Sequence, residues 1–266
     1  MTSFDTARLQ AHGVRIADCR FPAWEAGDYA SISEPSSIGL SFTQQLCSVS
    51  VDGVSSERRI AAGGVGLAGA ERIEWLRVGS PSHQIEITAD AWLRAEIAEE
   101  LGVWAHRDLA DLSFDADPVV WTLAARLRSA ARGGLPLAAI EVEALTRRLY
   151  GRIFETRFGG RSRARETGTL DPRRLLRVRS YVEDNLGKDF GLAELAREAA
   201  LSPFHFLRTF RRTVGVTPHR YVVMRRAERA HQLLVREGRP IDEVSEAVGY
   251  TNHSHLRAAI RRHVGQ

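Results

Sequence analysis

Ser202-Pro203-Phe204-His205-Phe206-Leu207-Arg208-Thr209-Phe210-Arg211-Arg212-Thr213-Val214-Gly215 decides how this chain is read, because it recurs. At an offset of 50 residues, Ser254–Gly265 repeats Phe204–Gly215 with His205/His255, Arg211/Arg261, Arg212/Arg262, Val214/Val264 and Gly215/Gly265 identical. Phe206/Leu256 and Phe210/Ile260 keep their apolar character. Upstream the echo continues at an offset of 49: Leu192/Ile241, Glu194/Glu243, Leu195/Val244, Ala199/Val248, Leu201/Tyr250 and Ser202/Thr251. Each copy predicts a short helix (192–199 or 241–248), a tight turn, a polar N-cap (Ser202 or Thr251–Asn252) and a second helix that stops at glycine. That is a helix-turn-helix, twice. On the first of these second helices Phe206, Phe210 and Val214 step by four and face a core. Phe204, Leu207, Arg208 and Arg211 fall on another face at i, i+3, i+4 and i+7. An exposed face of that kind suits a DNA major groove, where arginine pairs with guanine and apolar groups meet the thymine methyl.

The charge distribution agrees. The formal net charge of +4 averages two unlike halves. Residues 1–160 carry 16 arginines against 21 acidic residues, a net −5; residues 161–266 carry 20 arginines and one lysine against 12 acidic residues, a net +9. A basic half joined to an acidic half points to a nucleic-acid partner, or to a surplus of solvated arginines.

The stretch from about Pro172 to Gly265 resembles the AraC/XylS family of bacterial transcriptional regulators. The resemblance rests on Ser202–Arg212, Gly215-Val216-Thr217-Pro218-His219-Arg220-Tyr221, Arg225, Arg229-Ala230, Leu233-Leu234, Pro240–Val244, Val248-Gly249-Tyr250 and Ser254-His255-Leu256, in this order. It implies two helix-turn-helix units bridged by a long helix, reading successive major-groove segments of a double-stranded DNA operator. Base readers would then fall at Phe204, Leu207 and Arg208 in the first unit and at His253, Ser254 and Arg257 in the second. Ser202, Arg211, Arg212, Arg261 and Arg262 are assigned to phosphates, which position a protein without carrying sequence information. The resemblance also implies RNA polymerase as a partner. Three departures stand out: Ala258 where an arginine is common, Leu256, Ile260 and Val264 in place of aromatics, and a chain that ends at Gln266 where relatives continue with a Thr-Pro-x-x-Tyr-like segment and a last helix. They lead us to expect an incompletely covered second core and a first unit that dominates binding.

Residues 36–90 read as β-structure, with Ile38, Leu40, Phe42, Leu46, Val49 and Val51 in partial alternation and turns at Asp52-Gly53, Gly63-Gly64 and Gly79–Ser82. From Asp90 the period is helical: one helix with Trp92, Leu93, Ile97 and Leu101, a second after Asp117-Pro118 with Val120, Leu123, Ala124, Leu127 and Ala131, and a third with Leu145, Leu149, Ile153 and Phe154. The fold class expected is an α+β N-terminal domain (a small antiparallel sheet or cupin-like barrel plus helices) followed by an all-α domain with two helix-turn-helix units. Residues 1–158 would be a sensing or dimerisation domain, 159–170 a linker, and 171–266 the DNA-binding domain. Sensing implies a small-molecule effector in a pocket lined by Trp75, Phe42 or Trp24, though these rings could equally fill the barrel. Dimerisation implies a second copy of the chain.

Other signals point to ordinary structure. His253, His255 and His263 do not converge on one ion, and His83 is the only histidine among the strands, so we expect no metal and no cofactor. The Gly63–Gly66 cluster lacks the ending of a phosphate loop. Cys47 reads as a small buried residue, not a nucleophile. Two cysteines give no disulfide framework, and no apolar run or leader suggests a membrane or secretion, which places the protein in the cytoplasm. Two alternatives remain: a first half that only oligomerises, and an enzyme with its site in residues 20–160, for which no nucleophile–base spacing can be named.

Overall fold

The computed structural model describes residues 5–23, 31–33, 35–51, 53–69, 73–104, 109, 112–160 and 169–264. The chain forms two compact units: Met1–Ala116 with Ala130–Arg132 and Pro136–Arg163, and Asp117–Ser129 with Gly133–Leu135 and Ala164–Gln266.

The first unit holds two antiparallel sheets. Strands β1 (Asp5–Ala11), β2 (Val14–Phe21), β4 (Ser37–Ser41), β7 (Gly64–Leu67), β9 (Ser82–Ala89) and β10 (Leu112–Asp115) form one, in the order β1-β2-β9-β4-β7-β10. The other runs β3 (Ser31–Ser33), β8 (Ile73–Val78), β5 (Gln45–Val51), β6 (Val54–Ile60). Strands β5 and β6 pair antiparallel with Val51 opposite Val54, and Gly53 between them sits at φ +78°; Asp52, expected in this turn, lies outside the described residues. The Gly63–Gly66 cluster is a turn entering β7 and opens no helix. Phe21, Cys47, Val49, Ala68 and Val78 form one core from strands of both sheets. Strands β1, β2, β3 and β10 were not expected. β1 is a polar edge strand, mostly accessible along its length, so it shows little hydrophobic alternation.

Helix α1 (Ala91–Glu100) follows Asp90, which occupies the N-cap position but makes no side-chain cap; its carboxylate pairs with Arg15 instead. Helix α3 (Ala139–Arg157) buries Val142, Leu145, Leu149, Tyr150, Ile153 and Phe154 within this unit. The buried Tyr150 hydroxyl accepts the Ala89 amide proton at 3.2 Å and lies 3.2 Å from the Ser36 and Ile87 carbonyls.

The second unit is all helical: α2 (Pro118–Ala131), α4 (Pro172–Asp184), α5 (Leu192–Glu198), α6 (Pro203–Val214), α7 (Pro218–Arg236), α8 (Ile241–Ala247) and α9 (His253–His263). Asp171 caps α4 through the Arg173 and Arg174 amides. The expected linker, 159–170, falls largely outside the described residues. A boundary there would leave α2 with the first half, yet α2 packs in the second unit up to Ser129. Its sequence conceals this. Val119, Val120, Trp121, Leu123, Ala124, Ala125 and Leu127 are all buried, so the helix has no single stripe to say which core it joins.

The expectation of an incompletely covered second core is corrected. Leu256, Ile260 and Val264 are buried against Ala227, Ala230, Leu233, Val244 and Val248. Smaller side chains on α9 meet two alanines on α7, so the helices approach closely and the aromatics are not needed.

Tyr150→Phe should lower stability by about 1–3 kcal/mol, because the buried Ala89 N–H loses its acceptor. Denaturant titration will show this as a lower midpoint at unchanged slope.

Candidate nucleic-acid interface

Both second helices are set by their first residues. Ser202 Oγ accepts the His205 amide proton at 3.4 Å, and Pro203 follows in the first turn of α6. Asn252 Oδ1 accepts from Ser254 and His255 to start α9. The preceding turns correspond as well: Ala200 sits at φ +50° and Gly249, 49 residues on, at φ +70°. α6 ends at Gly215 in the left-handed region, φ +85°, whose N–H bonds the Arg211 carbonyl.

The periodicity of α6 then separates its faces. Phe206 is 0% exposed and Phe210 1%, their rings 5.3 Å apart, with Phe210 in turn 5.7 Å from the Tyr221 ring. Phe204 is 77% exposed and Leu207 37%, and Arg208 and Arg211 are exposed beside them. An exposed phenylalanine of that degree forgoes about 1.5–3 kcal/mol of burial. On α9 the corresponding face presents Ser254 and Arg257 to solvent, with Ala258 and Arg261 beyond. His253 is half-buried, and its ring lies 3.1 Å from the Asp242 carboxylate. The sequence-derived residues therefore lie on exposed faces of α6 and α9, apart from the half-buried His253. Ser202 acts through its oxygen as a cap, which leaves its O–H as a donor. Arg212 and Arg262 are exposed as well.

Part of the basic surplus has structural work. Arg174 and Arg177 donate to the Ala200 and Glu198 carbonyls at the end of α5. Arg226 donates to the Lys188 carbonyl at 2.6 Å, and Arg225 pairs with Glu183 at 2.7 Å. The arginines assigned to DNA are a distinct, solvent-facing subset.

The residues that sequence reasoning missed are on α2. Ser129 Oγ donates to the Arg262 carbonyl at 2.8 Å, and the Arg128 guanidinium donates to the His263 carbonyl. His263 is buried, and its pKa is pushed down to about 4 by burial and then by Arg220, Arg262 and Arg128. The sequence carries no local signal for these contacts, which join residues more than 130 positions apart.

In the first unit a cavity of about 720 Å³ is lined by Ser37, Gly39, Ser41, Val49, Ile60 and Gln84 among others, from both sheets. Phe42, expected as a pocket ring, is buried and tilted against His83 at 5.3 Å. Trp24 and the Trp75 side chain lie outside the described residues. Burial lifts the thiols of Cys19 and Cys47 to about 11, which keeps both protonated at neutral pH. Asp18 is buried, receiving His83 at 2.8 Å and Arg132 at 2.5 Å, so its oxygens are committed to holding β2, β9 and the segment after α2. No described helix is long and apolar enough to cross a membrane.

Residues 195–266 match the family described as a helix-turn-helix domain. The probable transcriptional regulator LumQ of Photobacterium leiognathi is 33% identical over 88 residues, 33% of this chain and 36% of LumQ. The virulence regulon transcriptional activator VirF of Yersinia enterocolitica is 27% identical over 89 residues, 34% of this chain and 33% of VirF. Among solved structures, a transcriptional regulator with an AraC-type DNA-binding domain from Chromobacterium violaceum is 25% identical, covers 34% of this chain and 81% of that one, and gives a TM-score of 0.33. The chain spans about a third of the length of these curated relatives.

With the second core closed, one of the reasons for expecting weaker contact from α9 is removed. Arg208→Ala and Arg257→Ala should each cost about 1–3 kcal/mol of binding to a cognate site, each relaxing preference at its own bases. A DNA titration in which either change is silent removes that arginine from the interface. A second outcome concerns pH. His263 is harder to protonate in the folded chain than its ordinary 6.5, so stability is lost as pH falls from about 6.5 towards 4. The melting temperature should be lower at pH 5 than at pH 7, and His263→Gln should narrow the difference.

Proposed function

We propose that the whole chain, whose residues 195–266 match a helix-turn-helix domain, is a sequence-specific DNA-binding transcriptional regulator of the AraC type whose first unit senses a small molecule. The observation that carries the reading is the repeated geometry of α6 and α9: each is capped at its start, buried along one stripe, and open along another that carries arginine. Phe204, Leu207, Arg208, His253, Ser254 and Arg257 address base edges. Ser202, Arg211, Arg212, Arg261 and Arg262 address phosphates. Arginine supplies the bidentate pairing to guanine, and the exposed Phe204 and Leu207 supply apolar contact to thymine methyls.

The sensing half of the proposal rests on the cavity between the strands of the first unit, whose volume falls in the range of ordinary ligand pockets. Its serines and Gln84 offer hydrogen bonds and its Val49 and Ile60 apolar contact, so a small ligand with both kinds of surface fits it. A regulator of this kind works in the cytoplasm, as a monomer or with a second copy of itself, and meets RNA polymerase at a promoter. The action is regulatory, not catalytic. The buried Asp18–His83 pair has its carboxylate held by Arg132, and both cysteines stay protonated.

Selection of bound sequences from random duplex DNA tests the proposal. The expected product is a site with two preferred segments, about one helical turn apart. Affinity for it should fall with salt, the logarithm of the binding constant dropping by about 0.9 for each phosphate neutralised per decade of salt. No enriched sequence, or an affinity indifferent to salt, refutes the reading. For the first unit, a metabolite at about 100 times its dissociation constant should add about 2.7 kcal/mol of stability. A first half that only oligomerises gives no such shift with any small molecule.

A further inference from the structure

The last carbonyls of a helix have no donors within the helix and must find them elsewhere. α6 and α9 solve this differently. After α6 the left-handed Gly215 turns the chain, and Thr217 caps α7 two residues later. After α9 the donors come from α2. Ser129 Oγ reaches the Arg262 carbonyl at 2.8 Å and Arg128 Nη2 the His263 carbonyl at 3.3 Å. A guanidinium here also sits at the negative end of the α9 dipole.

Arg128 is held in turn by Glu228 of α7 at 2.5 Å, both side chains almost entirely out of water. One helical face earlier, the Trp121 ring stands edge-on to Tyr221 at 6.0 Å and carries the Arg225 guanidinium 4.1 Å above it. Gly134 closes the joint from the far side. A Cβ there would lie 2.6 Å from Ser129 Oγ and 3.1 Å from the Arg262 carbonyl oxygen, so the approach admits glycine alone. α2 thus grips α7, which connects the two helix-turn-helix units, and the end of α9.

We infer that α2 is a positioning element for the second reading helix, with Ser129 and Arg128 fixing the C-terminus of α9 so that His253, Ser254 and Arg257 meet their bases at a set angle. α9 has 11 residues and is only about 16 Å long. Asn252 fixes one end and α2 the other, so release of the second end lets the reading face tilt. The inference rests on the DNA-binding reading of α6 and α9.

The test uses the full chain with Ser129→Ala and, separately, Gly134→Ala. The first removes a hydrogen bond to α9; the second deletes no hydrogen-bonding group but crowds the Ser129 hydroxyl and the Arg262 carbonyl. Neither residue faces DNA in the proposed interface. Binding is measured on a panel of single-base variants of the selected site, with amide hydrogen exchange of α9 and the melting temperature in parallel. Both variants should lose discrimination at the bases read by α9 by about fivefold, the worth of one hydrogen bond, and should keep discrimination at the bases read by α6. Exchange should quicken in the last turn of α9. An equal loss at both groups of bases together with a lower melting temperature overturns the inference in favour of general support for the fold. Unchanged discrimination and exchange in both variants also overturn it. A wild-type chain that binds no DNA overturns the DNA reading and this inference with it, whereas wild-type binding with silent variants sinks the inference alone.

Discussion

The second unit depends on one ion pair. Arg128 and Glu228 are 1% and 2% exposed and 2.5 Å apart. Removing such a pair as a whole in favour of apolar groups can be neutral, but leaving either charge without the other costs about 3–5 kcal/mol. The pair therefore acts less as a source of stability than as a fixed point. It admits one placement of α2 on α7, and the edge contact of Trp121 with Tyr221, the Arg225 cation above that ring and the closure of α9 follow from the placement. Tyr221 also packs on Phe210, so the same contact reaches the core beneath α6. A single desolvated pair thereby touches the support of both α6 and α9.

The two helix-turn-helix units show how one pattern tolerates different fillings. The first uses Phe206 and Phe210 in its core; the second uses Leu256 and Ile260 against alanines of α7. What the pair has in common is backbone geometry: a polar cap, a left-handed turn residue, and a buried stripe of period four. Ala200 holds in the first turn the conformation that Gly249 holds in the second. The arginines divide by the same logic. Those that meet carbonyls or Glu183 are spacers between helices, and Arg208, Arg211, Arg257 and Arg261 lie exposed on α6 and α9.

Much of this was legible in the chain itself. The caps Ser202 and Asn252, the glycine stop at Gly215 and the buried Phe206–Phe210 stripe follow from local rules, because helix ends and helix faces are set by residues within a few positions of one another. The exposed face with Phe204, Leu207 and Arg208 follows from the same period. The β5–β6 hairpin was legible from Asp52-Gly53. What could not be read was long-range. β1 hides because an edge strand needs no apolar alternation, and β10 because four residues carry too little pattern. The allegiance of α2 was hidden because a helix buried around nearly its whole circumference shows no single face that names its core. Its role at α9 is carried by contacts between residues more than 130 positions apart, for which no local signal exists.

The discontinuity of the second unit has a consequence for synthesis and for recombination. α2 leaves the ribosome long before α7 and α9, its partners in that unit. Its buried residues must wait for their α7 partners, 100 positions on, and for α9 further still. The segment after it, through Arg132, meanwhile joins β2 by way of Asp18. The chain is therefore not two beads on a string. Gene fusions that exchange first halves by joining at residues 159–170 would carry a foreign α2 into the second unit, so the helix and its sockets on α7 and α9 must be inherited together.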